Sequence, residues 1–248
     1  MAQGSDSRLM IDEDFYGAAS ALAATTAPPI ALGSLNVVGQ GIAETDSGAP
    51  RMDSDGLNGV IQLTTTNEDV HCAGLQSATM FDVGLMGSIV MEARVRQAAL
   101  NTGEVFIGFS DVNTDLAIIE GAICHGDTVT VTLTASDLVG FLMASDLTDN
   151  SDWHGVYNGG TTTGETVSTS LDFDAGATAG EYQVLRLELF PNGTAEWWVD
   201  GVLEQTVTGA VSTSVDLCLN VLVESKTTAV KTMDVDYIRV WANRDWTA

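Results

Sequence analysis

"RLELFPNGTAEWWVDGVLEQTV", residues 186–207, decides the fold. Asn192-Gly193 and Asp200-Gly201 are dipeptides that tolerate the positive φ a tight hairpin turn needs, and Asp-Gly is the type I′ pair. They divide the stretch into strands around "TAEWWVD" (194–200). Side chains on a strand alternate between faces. Ala195, Trp197 and Val199 therefore share one face, and Glu196, Trp198 and Asp200 the other. Trp197 is expected in the core with Leu185, Leu187 and Leu189. Trp198 shares its face with two carboxylates, so it is expected at an interface. The N-terminal segment or a neighbouring subunit covers it, or a ligand reaches it.

The same period-two pattern, rich in Val, Thr and Ile, runs outward from this stretch. It marks strands at 59–66, 87–97, 104–111, 128–135, 138–145, 182–190, 202–209, 215–225 and 231–243. Turn signals at 101–103, 158–160 and 191–193 punctuate them. Only "GAASALAATT" (17–26) has a mildly helical pattern. Many strands with almost no helix predict an all-β, antiparallel two-sheet sandwich or jelly roll. Residues 1–57 are less regular and read as an arm or first strand packing on the sandwich or on a neighbour. Residues 58–248 read as the sandwich, with no linker to divide them.

Composition narrows the partners. The 248 residues carry 34 Asp plus Glu against 9 Lys plus Arg, a net charge of −25, and the first lysine is Lys226. Such a surface repels nucleic acid and anionic membranes. It suits salty water, where screening relieves self-repulsion, so a marine or halophilic source is expected. No basic-then-apolar leader opens the sequence, so no signal peptide is expected, and no apolar run is long enough for a membrane helix. Cys72, Cys124 and Cys218 are odd in number and widely spaced, which predicts buried free thiols rather than a disulfide framework.

Four stretches resemble the concanavalin A-like lectin/glucanase superfamily. "IDEDFYG" (11–17) is similar to the Asp-Asp-Phe…Gly opening of many such domains. "GEVFIGFSD" (103–111), the Asn-Gly/Asp-Gly hairpin, and the last strand "MDVDYIRVWAN" (233–243) follow in the family's order. The resemblance covers most of residues 58–243 and implies a concanavalin A-like jelly roll. The run 137–165 after "GFSD" resembles, in style, tailed-bacteriophage virion proteins that carry this fold, typically capsid decoration or fibre components.

Glycoside hydrolysis needs two carboxylates facing across a scissile bond. The glucanase-like members carry E-x-D-x-x-E on one strand, and no such string exists here. "EGAICHGD" (120–127) has the wrong spacing, and Asp234 and Asp236 lack a third acid. His71-Cys72 and Cys124-His125 invite zinc, but neighbours on a strand point to opposite faces, and His154 has nothing evident to recruit it. Asp146, Asp149 and Asp152 are the first place to look for a structural calcium. No other cofactor is expected. There is no nucleophile elbow and no phosphate-cradling loop. Trp153 and Tyr157, around "HGVYNGG" (154–160), join Trp198 as candidates for glycan stacking or an interface. A buried tryptophan covers roughly 150–250 Å², on the order of 4–6 kcal/mol at most, which explains such residues without a ligand.

Two functions follow as expectations. The first is a non-enzymatic virion structural protein on the outer surface of a tailed-phage head, made in the host cytoplasm. It would bind the major capsid protein and itself, as a homotrimer. The alternative is a carbohydrate-binding, lectin-like module, free or on a phage fibre.

Overall fold

The structure is a computed structural model that describes residues 8–15, 30–39, 51–52, 59–114, 118–226 and 229–244. In chain order its strands are β1 (Arg8–Glu13), β2 (Ile30–Leu32), β3 (Leu35–Val38), β4 (Arg51–Met52), β5 (Ile61–Thr64), β6 (Cys72–Gln76), β7 (Phe81–Asp82), β8 (Ile89–Gln97), β9 (Gly103–Ser110) and β10 (Cys124–Asp127). They continue with β11 (Thr130–Leu133), β12 (Leu138–Ala144), β13 (Asp152–Asn158), β14 (Asp172–Gly176), β15 (Tyr182–Leu189), β16 (Ala195–Val199), β17 (Val202–Val207), β18 (Asp216–Ser225) and β19 (Thr232–Asn243). Helix among the described residues is limited to a π-turn at Ile119–Ile123 and one α-turn, α1 (Ser168–Leu171).

Two antiparallel sheets make the sandwich. The first runs β17-β16-β15-β8-β19-β5-β4. On the free side of β19, β5 takes Thr232–Val235 and β1 takes Ile238–Asn243. The second runs β14-β13-β12-β9-β18-β6-β3-β2, with β7 added to one end of β18. Alternation builds the core as the sequence predicts. Leu185, Leu187, Leu189, Ala195, Trp197 and Val199 all point inward, with Leu187 opposite Trp197 and Leu185 opposite Val199. The Trp197 indole donates to the Gly140 carbonyl of the facing sheet at 2.8 Å, so its one polar atom is satisfied. Asp200 and Gly201 both take positive φ, +49° and +83°, as a type I′ turn requires.

Residues 1–57 were expected as an irregular arm or first strand packing on the sandwich, and their described parts contribute strands β1 to β4. β1 alternates, buries Ile11, and closes on the terminal strand β19. The β2–β3 hairpin extends the second sheet through β6. The mildly helical stretch 17–26 lies outside the described residues.

The second sheet is buried on both faces: every residue of β6, β9 and β12 is buried. One face meets the first sheet. The π-turn and the β10–β11 hairpin lie over the other, so closely that a side chain on Gly126 would meet Ala144 Cβ at 2.7 Å. Among the described residues, the open face is therefore the outer side of the first sheet.

Candidate functional site

Trp198 lies on that open face. A straight cross-strand row connects it to Arg186 on β15, Glu92 on β8, Arg239 on β19 and Asp12 on β1. Aromatic rings and guanidinium groups interleave along the face. Arg186 pairs with Glu188 and lies over the Trp241 ring at 5.5 Å. Arg94 and Arg96 lie over Tyr182 at 4.1 and 4.8 Å and pair with Asp236 and Asp234. Arg239 covers Tyr237 at 4.7 Å and donates to Asp12 at 2.8 Å. The Tyr237 hydroxyl donates to Glu92, and burial together with that contact pushes its pKa up to about 12. Four of the nine basic residues, Arg94, Arg96, Arg186 and Arg239, collect on this one face, so it departs from the acidity of the rest. A bulge in β19 between Val235 and Tyr237 turns Asp236 toward Arg94.

Trp198 is half-buried, and with Glu92, Val184, Arg186, Glu188 and Gly201 it lines a hollow of about 380 Å³. Its indole nitrogen is buried and has no hydrogen-bond partner. The hollow thus offers an apolar ring, two carboxylates and a guanidinium.

Trp153 and Tyr157 are not on this surface. Both point into the core from β13, 1% and 7% exposed. Trp153 packs edge-on to Phe141 and donates to the Gln183 side chain at 2.9 Å. Tyr157 packs against Trp197. The alternation that buries Trp153 and Tyr157 turns His154 to the opposite side of the sheet, so neither ring is open for stacking.

The acidic trio also separates. Asp146 faces Lys226 at 3.8 Å. Asp149 instead joins His154 and Asp172, with ligand atoms mutually within 4.8 Å. Asp152 stands close by, and burial followed by the Asp172 charge raises its carboxyl pKa. The two His-Cys pairs do not assemble a site. Cys72 and Cys124 are buried, His71 bonds Thr66, and His125 bonds Glu104.

One pair was invisible in the sequence. Glu104 on β9 and Glu224 on β18 are directly opposite one another, and both are fully buried. Glu224 accepts from the backbone N–H of Ile119 at 2.7 Å and Glu120 at 3.1 Å. Glu104 accepts from His125 Nδ1 at 2.8 Å and Gly126 N at 3.1 Å. Burial, with Glu104 alongside, pushes the Glu224 carboxyl up to about 7. Their hydrogen bonds hold the segment that covers the second sheet.

No family model matches this chain, and no curated protein matches it. Solved structures do match over nearly its whole length. A protein of unknown function from Shewanella oneidensis MR-1 is 11% identical with a TM-score of 0.59, over 100% of this chain and 97% of that one. Peanut lectin, solved with a 9-residue peptide, is 11% identical with a TM-score of 0.57, over 95% and 97%. The carbohydrate recognition domain of Emp47p is 12% identical with a TM-score of 0.56, over 98% and 100%. At such identities the likeness is one of fold, and the fold is the antiparallel, concanavalin A-like jelly roll.

Proposed function

We propose that this chain is a non-catalytic glycan-binding module whose binding surface is the face carrying Trp198. The hollow around Trp198 carries the reading. A sugar ring presents an apolar C–H face and a rim of hydroxyls. An indole takes the first, and Glu92, Glu188 and Arg186 take the second. A net charge of −25 disfavours anionic glycans, so the ligand is neutral. The fold shared with peanut lectin and with the Emp47p carbohydrate recognition domain supports this reading. Its non-catalytic character is supported by Glu104 and Glu224, the facing acids, which have no exposed surface and are occupied with backbone N–H groups. A glycan array with the purified chain tests it. Neutral glycans should be retained, and Trp198→Ala should lose at least tenfold in affinity while keeping its circular dichroism spectrum. No retention by the wild type, or equal retention by Trp198→Ala, overturns the reading.

A second reading is favoured by a different observation. Val202 and Leu203, on the edge strand β17, are 58% and 43% exposed, and Leu203 lies opposite Trp198. An apolar edge strand is a docking edge for another chain. On this reading the protein is a capsid decoration protein of a tailed phage, seated on the major capsid protein and on itself as a trimer, with Trp198 as a protein contact. Mass spectrometry of purified virions should find it at a copy number tied to capsid symmetry. Its absence from virions, with a monomer in sedimentation, removes this reading and leaves the first.

A further inference from the structure

We infer that Asp149, His154 and Asp172 form a binding site for a first-row divalent transition ion of the zinc type. The inference is independent of the glycan surface. It starts from the strand register, in which His154 of β13 lies directly opposite Asp172 of β14. A register shift between Asp152 and His154 marks a bulge at this point, a device that re-aims side chains. The turn before β13 then brings back Asp149, whose carbonyl accepts from Asp152 N at 3.1 Å. Asp174 N donates to Asp172 Oδ1 at 2.9 Å and fixes that carboxylate.

Polar bookkeeping at this point does not balance within the protein. His154 is fully buried, yet neither ring nitrogen has a hydrogen-bond partner. Both carboxylate oxygens of Asp149 are buried and equally unpartnered. His154 Nε2 lies 3.2 Å from Asp149 Oδ2 but makes no hydrogen bond with it. Leaving one such polar group unsatisfied costs about 1–3 kcal/mol, and more if charged. Among the described residues, no lysine or arginine pairs with Asp149 or Asp172, the two carboxylates grouped with the imidazole, or with Asp152 close by. A cation resolves both the unmet bonds and the unmet charge.

The donor set selects which cation. Imidazole nitrogen suits zinc and its neighbours, whereas calcium takes six to eight oxygens, so a site with a buried histidine at its centre is not built for calcium. The spacing agrees. Ligands bonded to zinc at about 2.0–2.1 Å stand roughly 3.0–3.4 Å apart along a polyhedral edge, and the Asp149–His154 separation falls in that range. Three protein ligands leave a further position for water or for Asp152. Calcium at Asp146, Asp149 and Asp152 gives way to a different ion on a different set, of which only Asp149 is common.

Isothermal titration of the full, chelator-stripped chain with zinc chloride tests the inference, with manganese and calcium chlorides alongside. Salt at about 0.15 M suppresses loose cation binding to the acidic surface. One zinc per chain should bind, and at a hundredfold excess over Kd the Tm should rise by roughly 5–10 °C. His154→Gln and Asp172→Asn should each weaken binding by at least tenfold. Asp172 lies on the partly exposed edge strand, so its variant keeps the sandwich and remains informative where His154→Gln fails to fold. Absence of saturable zinc binding overturns the site. So does zinc binding unchanged in Asp172→Asn. A calcium shift larger than the zinc shift overturns the assignment of the ion.

Discussion

Trp197 and Trp198 are adjacent in the chain and lie on opposite faces of one sheet. Trp197 is fully buried, and its nitrogen donates to Gly140 O. Trp198 is half-buried beside Arg186, with an unpartnered nitrogen. Trp197→Ala is therefore expected to cost about 3–5 kcal/mol of stability, because it opens a cavity among Leu187, Tyr157 and Phe173. Trp198→Ala should cost about 1 kcal/mol or less. Equilibrium urea denaturation of the two variants measures the difference, and equal losses would contradict the split.

The two turns of the same hairpin unit should respond unequally to alanine. Gly201 takes φ +83° with nothing within 4 Å of an added Cβ, so Gly201→Ala meets conformational strain alone, about 1 kcal/mol. Gly193 takes φ +78°, and its Cβ would stand 2.5 Å from the Val211 carbonyl. Gly193→Ala should cost clearly more, since a backbone oxygen must move. Thermal denaturation of both variants gives the ranking, and the reverse order would place the constraint elsewhere.

These contrasts separate what the sequence carries from what it does not. β15, β16 and β19 each have one wet face, so alternation marks them, whereas β17 buries no residue and is marked by its turns. β6, "CAGLQ", is buried on both faces and contains Ala and Gly, so it has no alternation to read. β14, "DFDAG", has the composition of a turn and is a strand only because β13 pairs with it. Trp153 follows "DNSD", which reads as loop, so the face it takes was not fixed by its local sequence. Among the site residues, Trp198 was legible because the turns on either side fix its strand locally. Asp172 and His154 meet only through the β13–β14 register, and Glu104 and Glu224 only through the β9–β18 pairing. Such long-range pairings leave no local signal.

All three thiols should be inert in the folded chain. Burial pushes Cys72 and Cys124 well above the ordinary thiol range, and it pushes Cys218 up to about 11. The thiolate is the reactive form. Ellman's reagent at pH 8 should therefore find no reactive thiol in native protein and three equivalents after denaturation in urea. A fast-reacting thiol in the native protein would contradict the burial.

Stability should pass through a minimum near neutral pH, from two buried groups of opposite sense. Glu224 is pushed up from 4.5 to about 7 by burial and by Glu104. Between those values the native chain holds a proton that the unfolded chain has released. Its contribution is thus complete below pH 4.5 and is lost as pH rises through 7. Lys231, whose Nζ donates to Ala99 O at 2.9 Å, is pushed down from 10.5 to about 7 by burial. Between those values the unfolded chain holds the extra proton, so stability rises with pH toward 10.5. At about 1.4 kcal/mol per pKa unit the two effects are on the order of 3 and 5 kcal/mol. Tm followed from pH 4 to 10 at constant ionic strength checks both. Glu224→Gln should flatten the limb below neutrality and leave the other intact, and Lys231→Met should do the converse. An acid limb unchanged in Glu224→Gln would show that the facing carboxylates do not set it, and that the charge on the acidic surface does.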